Sequence, residues 1–309
     1  MTITRAYYKI YKKTKEDETV MFEFIKNKKD TEVSDSPEIA QRLQSEAEEL
    51  NDNDEPKKAL KHCLRAYEIY TALYAEDSEK YKPFIASCCD VLGSIYNKLD
   101  KYDESYTYHN IAQEMYTELS AGGNAEYREL LADQYSNIGD TFFFKGDYDT
   151  AEENYKKSLE IYIELSESDH AKYAEDVAYC YDCLAKAYSG KEDYTSSIET
   201  YEKVIAIYEG LASDKIYDSP DDKEIEYHDN LASAYSDMGY IYSCVKDFED
   251  AEKYYLKAAE IYRVLTRIDA YEYSYELSVQ YEDLAALYED MGKPELVSEY
   301  EKKAKKLGV

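Results

Sequence analysis

The chain has 309 residues, more than one globular core usually organises, and 44% of them are hydrophobic, with 38 Tyr and no Trp. That share is too apolar and aromatic for a disordered chain, and 10 Gly with 5 Pro supply little of the punctuation that many short strands need. A net charge of −30 excludes a nucleic-acid backbone as partner and serves either solubility or a field that attracts a basic molecule.

Residues 1–33 stand apart as a basic arm. Eight Lys/Arg against five Asp/Glu in residues 1–30 give it +3, which leaves −33 on the rest. Thr19–Ile25 alternates Val20, Phe22 and Phe24 on one face, the period of a strand. Ala6–Tyr11 could pair with it or form a short helix. A lone hairpin is marginal in water, so the arm is expected to pack on the first unit, fold back on the acidic body or stay partly disordered. No apolar run reaches the ~18–20 residues of a membrane span, and the N-terminus lacks the apolar core and cleavage site of a signal peptide. Six cysteines in no framework spacing point to reduced thiols and a cytoplasmic location.

From Ser34 the sequence repeats. Tyr81, Tyr127, Tyr173, Tyr227 and Tyr273 are separated by 46, 46, 54 and 46 residues. The same offsets link Gly93, Gly139, Ala185, Gly239 and Ala285, with Ala47 one step back. They also link Tyr96, Phe142, Tyr188, Tyr242 and Tyr288. A second series holds the register through Ala59, Ser105, Ala151, Ser197, Ala251 and Val297, and through Tyr70, Tyr116, Tyr162, Tyr208 and Tyr262. The plainest copy is Glu126–Ala171, two helical patterns hinged at Lys145, Gly146 and Asp147. Six units follow: 34–79, 80–125, 126–171, 172–225, 226–271 and 272–309.

Within a unit, the bulky, small and aromatic positions share one helical face. The small residue lets the partner helix approach to the lower end of the ~8–10 Å range, and the aromatic is expected to fill the gap between successive pairs. Asp147, Asp193 and Asp247 fall where they would cap the second helices, and Pro294 falls in the first turn of the last. The eight extra residues within Leu211–Lys223 read as an exposed insertion. Pro294–Leu307, polar and lysine-rich, reads as a capping helix.

These in-register positions resemble the tetratricopeptide repeat over about Ser34–Leu307. The variety is a long one, similar to the repeats of kinesin light chains and of bacterial regulatory proteins. Its period is 46 rather than ~34, and Thr71, Thr117, Ile163, Glu209 and Arg263 stand where the family's closing proline would. The resemblance implies an all-α, right-handed solenoid whose concave groove is lined by the first helix of each unit. Counted from the small residue, the implied groove positions lie three before (Gln44, Asp90, Ser136, Asp182, Ser236, Glu282) and one after (Glu48, Ser94, Asp140, Lys186, Tyr240, Ala286). Four and five after lie Asn97, Lys98, Phe143, Phe144, Ser189, Gly190, Ser243 and Cys244. Members that clamp a carboxylate use lysine where this chain has Asp, Ser and Glu. Asn137 alone echoes that clamp, so carboxylate clamping is disfavoured.

No motif carries catalysis. Cys180 and Cys183 lie one turn apart inside a first helix, and His62, His109, His170 and His228 are scattered over different units, so the thiols read as small packing residues. Cys88 and Cys89 read the same way. Phosphate loops, nucleophile elbows and zinc-protease signatures are absent, and no cofactor or metal is expected. The expectation is a protein-interaction scaffold that takes a basic or amphipathic peptide or helix in an acidic, partly aromatic groove. The candidate contacts are Asp90, Asn97, Asp140, Phe143, Phe144, Tyr179, Asp182 and Tyr240. Phe143 and Phe144 distinguish the third unit, either as an apolar anchor or as packing against the neighbouring pair. Two alternatives remain: a regulator whose superhelix changes shape on binding a small peptide, and the regulatory subunit of a separate enzyme.

Overall fold

The computed structural model describes residues 36–212 and 221–308. The expected hairpin of the arm and most of the inserted loop lie outside the described residues. Twelve helices are present among the described residues and no strand. They are α1 (Pro37–Asp52), α2 (Pro56–Glu76), α3 (Ser78–Lys98), α4 (Tyr102–Ser120), α5 (Ala125–Phe144) and α6 (Tyr148–Ser166), followed by α7 (His170–Gly190), α8 (Tyr194–Leu211), α9 (Asp222–Cys244), α10 (Phe248–Ile268), α11 (Ala270–Asp290) and α12 (Pro294–Lys305). Each helix packs on the one before and the one after, which makes an all-α solenoid.

The helix ends explain the repeat. At the turn from each odd helix to the following even one, a residue enters the left-handed region: Asp54, Asp100, Gly146, Glu192, Lys246 and Gly292. In the third pair Gly146 N–H donates to the Phe143 carbonyl at 2.9 Å and Asp147 N–H to the Phe142 carbonyl at 2.9 Å. This closes the helix end with orphan carbonyls satisfied. Asp147, Asp193 and Asp247 then accept the backbone N–H of Thr150, Ser196 and Asp250 at 3.1, 3.2 and 3.3 Å, the capping expected from sequence. Every odd helix but α1 is capped as well, by Asp77, Asn124, Asp169, Asp221 and Asp269. The periodicity had not singled these out.

The core runs within the pairs and between them, where Tyr70, Tyr116 and Tyr162 pack on Phe84, Tyr127 and Tyr173 of the next pair. Tyr70, Tyr116, Tyr162, Tyr208 and Tyr262 are all at most 7% exposed. A Cβ placed on Gly93, Gly139 or Gly239 would stand 2.5 Å from the His109 ring, 2.5 Å from Tyr155 and 2.7 Å from Tyr255. Each of these rings comes sixteen residues after its glycine. The small position therefore receives one specific side chain of the second helix. The aromatic three residues beyond it divides: Phe142 packs on Tyr106 of the preceding pair at 5.2 Å, filling the gap between pairs as expected, whereas three other copies do not. Tyr96 stacks on Tyr108 at 5.4 Å, Tyr242 on Tyr254 at 5.5 Å, and Tyr288 packs on Tyr300 at 5.4 Å. These contacts lie inside one pair, not between successive pairs, because a residue one turn along still faces the same partner helix.

Two glycines inside helices should respond oppositely to alanine. Gly139→Ala drives a methyl into Tyr155, whose hydroxyl is fixed by Asp140 at 2.7 Å, and should destabilise by about 1–3 kcal/mol. Gly210, in α8, has nothing within 4 Å of such a methyl, and Gly210→Ala should stabilise by about 0.5 kcal/mol. Urea denaturation of both variants measures this. A neutral Gly139→Ala would mean that the approach of α6 to α5 is not set by that contact.

Candidate partner-binding groove

The odd helices α1, α3, α5 and α7 touch one another in order and form an inner layer. Every seam between neighbouring odd helices is closed by polar side chains. Gln44 Nε2 donates to Ser87 Oγ at 2.8 Å, Asn97 Nδ2 to Thr141 Oγ1 at 3.0 Å, and Asn137 Nδ2 to Asp90 Oδ1 at 3.0 Å. Further along, Tyr179 OH donates to Asp140 Oδ2 at 3.3 Å, Tyr227 OH to Glu175 Oε1 at 3.0 Å, and Gln280 Nε2 to Ser236 Oγ at 2.8 Å.

Several residues singled out from sequence are engaged in these seams. Asp90 is held by Asn137 and stands 3.4 Å from His109 Nδ1. Burial pushes its carboxyl up, but the bonds from His109, Gln134 and Asn137 outweigh that and leave it below its ordinary value. Asp140 accepts from Tyr155 OH at 2.7 Å and from Tyr179, yet burial still pushes its carboxyl up. Asp182 accepts from Lys186 Nζ at 2.8 Å, and the same ammonium lies 3.8 Å from Asp237. Burial alone would lower Lys186, but the two carboxylates hold it well above the usual lysine range. The structure thus joins Asp90, Asn97, Asp140 and Tyr179 across α3, α5 and α7, and links Asp182 to α9 through Lys186.

The two phenylalanines divide. Phe143 is partly buried, packs edge-on to Tyr148 at 5.4 Å and belongs to the core around Tyr155 and Leu184. Phe144 is 61% exposed, and Tyr179 and Tyr240 are 46% and 57% exposed. Tyr240 occupies on α9 the register of Asp140 on α5 and Lys186 on α7.

The sequence reading missed a second set of carboxylates. Asp133 accepts from Tyr162 OH, and burial raises its carboxyl to about 6, with Asp90, Asp176 and Glu129 adding their negative fields. Asp283 also rises to about 6, through burial and then Glu282. Burial raises Asp176, Asp229 and Asp237 too, and Asp237 accepts from Tyr201 OH at 2.9 Å. Asp237 and Asp283 stand two before the small residue, between the rows that were counted, and Asp133 six before it, outside them. Acidic residues recurring opposite the buried second-helix tyrosines were the available signal.

The remaining candidates pack. Cys180 lies 3.3 Å from Ser158 Oγ, and burial raises its thiol to about 12; Cys183 is buried as well. Cys63 and Cys88 approach to 3.7 Å between α2 and α3. Among the described residues no group of three or more His, Cys, Asp and Glu is arranged to hold a metal ion, and no helix is long and apolar enough to cross a membrane.

Comparisons with known proteins agree with this architecture. The family model described as Tetratricopeptide repeat matches residues 89–162 and 130–210, and a second model of the same description matches 231–265. Solved structures with a similar fold include BtubC (BKLC) from P. vanneervenii, at 18% identity and TM-score 0.64, covering 82% of this chain and 90% of that one. The apo form of the quorum sensor NprR from B. thuringiensis is similar at 16% identity and TM-score 0.61, covering 96% of this chain and 72% of that one. A Podosopora anserina putative kinesin light chain with nearly identical TPR-like repeats follows at 14% identity and TM-score 0.55, covering 76% and 98%. These identities carry the fold alone. No curated protein sequence matches the chain.

The raised carboxylates fix the sign of a pH effect. Asp133 and Asp283 bind protons in the folded state up to about pH 6, whereas in the unfolded chain they do so only near 3.8. Between pH 7 and 5 the folded state therefore takes up protons that the unfolded state does not, and stability rises as pH falls, by about 1 kcal/mol for each group. Thermal melts should show a higher Tm at pH 5 than at pH 7. Asp133→Asn with Asp283→Asn should raise Tm at pH 7 and flatten the dependence. A Tm that falls over this window in the native protein, unchanged in the variant, would refute the assignment.

Proposed function

The chain belongs to the tetratricopeptide repeat family, and from that premise we propose that it binds a basic or amphipathic peptide or helix of a partner protein on its inner surface. The fold is an interaction scaffold, and we assign it no catalytic step. The observation that carries the reading is the run of carboxylates along α5, α7, α9 and α11 held above their ordinary pKa. They are poorly hydrated anions short of countercharge, and an incoming ammonium or guanidinium relieves that cost. Phe144, Tyr179 and Tyr240, exposed on α5, α7 and α9, offer apolar and cation–π contact. Phe144 is the anchor, and Phe143 holds it in place from the core. The free thiols fit a reducing compartment, and we place the protein in the cytoplasm.

A second reading, a regulator whose superhelix changes shape, draws on the seams. Tyr179 to Asp140 at 3.3 Å and Lys186 to Asp237 at 3.8 Å are polar contacts between odd helices, which a cationic ligand competes for directly. The NprR likeness, to a quorum sensor, stands beside this reading as a likeness of fold.

A fluorescein-labelled amphipathic lysine–leucine peptide is a suitable probe. Fluorescence anisotropy should show binding that weakens as salt rises, and Phe144→Ala with Tyr240→Ala should weaken it about tenfold. An unchanged affinity in the double variant would eliminate this surface. Small-angle scattering at saturation separates the two readings, since a regulator changes its radius of gyration and a rigid scaffold does not.

A further inference from the structure

We propose that residues 1–15 of this same chain occupy the acidic inner surface as a built-in competitor of the partner peptide. The proposal rests on the groove reading above. Residues 1–15, MTITRAYYKIYKKTK, carry Arg5, Lys9, Lys12, Lys13 and Lys15 and no Asp or Glu, interleaved with Tyr7, Tyr8, Ile10 and Tyr11. That is the chemistry the inner surface is built to take: cations spaced among aromatic and apolar side chains. The acidic residues Glu16, Asp17 and Glu18 begin immediately afterwards, so the basic segment has a sharp end.

The surface itself shows what it does with an amino group. Lys186, the residue of α7 in register with Asp140 and Tyr240, rests 2.8 Å from Asp182 and 3.8 Å from Asp237. Buried acceptors on other odd helices, α3 and α11, also lack donors. Gln280, 2% exposed, gives its Nε2 to Ser236 and leaves Oε1 without a partner, and Asn97 Oδ1 is likewise buried and unpaired. An N–H from an arginine, a lysine or an extended backbone satisfies such acceptors.

Reach is ample. Residues 16–35 separate the basic segment from Ser36, which precedes α1. Twenty residues extend up to roughly 65 Å, while α5, α7 and α9 lie two to four odd helices further on, about 10 Å apart per layer. A tethered segment at this distance acts at millimolar effective concentration, on the order that a weak electrostatic contact needs. A partner therefore binds by displacing the segment, and its affinity is set partly by a competitor that travels with the groove.

The test uses the full chain. Carbodiimide cross-linking joins lysine amines to carboxylates in contact, and mass spectrometry reads the pairs. Lys9, Lys12, Lys13 or Lys15 should be joined to inner-surface carboxylates such as Asp133, Asp140 or Asp237, with a yield independent of protein concentration. Cross-links from these lysines that avoid the inner surface overturn the proposal. So do cross-links found only within dimers and growing with concentration, since the occupant would then be a second copy. The full-length variant with Arg5, Lys9, Lys12, Lys13 and Lys15→Gln should bind the lysine–leucine probe at least about tenfold more tightly than the native chain. Equal affinity in the two proteins overturns the competitor and leaves the groove reading standing. If neither protein binds the probe, the groove reading fails, and the cross-links alone decide whether the segment lies there.

Discussion

The close approach of the two helices in each pair is the contact on which the rest of the solenoid depends. It is made where a first-helix glycine, as at Gly93, Gly139 and Gly239, lies against a ring from the second helix, at a separation no Cβ tolerates. Once that ring is seated, the tyrosines further along the second helix, Tyr116, Tyr162 and Tyr262, are drawn into the core. The odd helices are left side by side. Position 185 shows the tolerance of the design. Alanine replaces glycine there, and Tyr201 sends its hydroxyl across to Asp237 on α9 instead of to a neighbour within its own pair. The first helices thus form the inner layer because their small residues let the second helices press on them from outside.

That packing also generates much of the acidity. A tyrosine whose ring is buried between helices must still find a partner for its hydroxyl. The acceptors are first-helix carboxylates: Asp140 for Tyr155, Asp133 for Tyr162, Asp237 for Tyr201. Each carboxylate is thereby fixed in a poorly hydrated position where the charged form is disfavoured. A hydrogen bond from a phenol lowers the cost of the charge without cancelling it. The inner surface is therefore acidic by construction, and the strain of holding like charges together is part of what a cationic partner would relieve.

The fold was legible in the sequence because its signals are matters of identity at fixed spacing: the small residue, the aromatic three beyond it, the aspartate that begins three of the second helices. The site was legible only in part, because it depends on helix rotation. Phe143 and Phe144 are adjacent letters, yet about 100° of turn per residue sends one into the core beside Tyr148 and the other into solvent. The same rotation brings Asp237 and Asp283 onto the inner surface from a row that family geometry did not count. The pairing of Gly139 with Tyr155 was also out of reach, since spacing alone does not say which second-helix residue points at the small position. The basic arm lies outside the described residues, and its sequence is read as chemistry alone.

The second pair departs from its neighbours in a way that bears on the proposed groove. His109 stands at the register held by Tyr155, Tyr201 and Tyr255, and its Nδ1 lies 3.1 Å from Gln134 Oε1 and 3.4 Å from Asp90. With Asn137 also donating, Asp90 lies below its ordinary value, whereas Asp133, Asp140, Asp237 and Asp283 lie above theirs. A carboxylate already supplied with donors gains little from an added cation, whereas one held against its hydration gains much. If a cationic ligand binds as proposed, the electrostatic part of its binding energy concentrates from α5 onward, where burial raises Asp133, Asp140, Asp237 and Asp283. That is also the stretch on which Phe144, Tyr179 and Tyr240 are exposed.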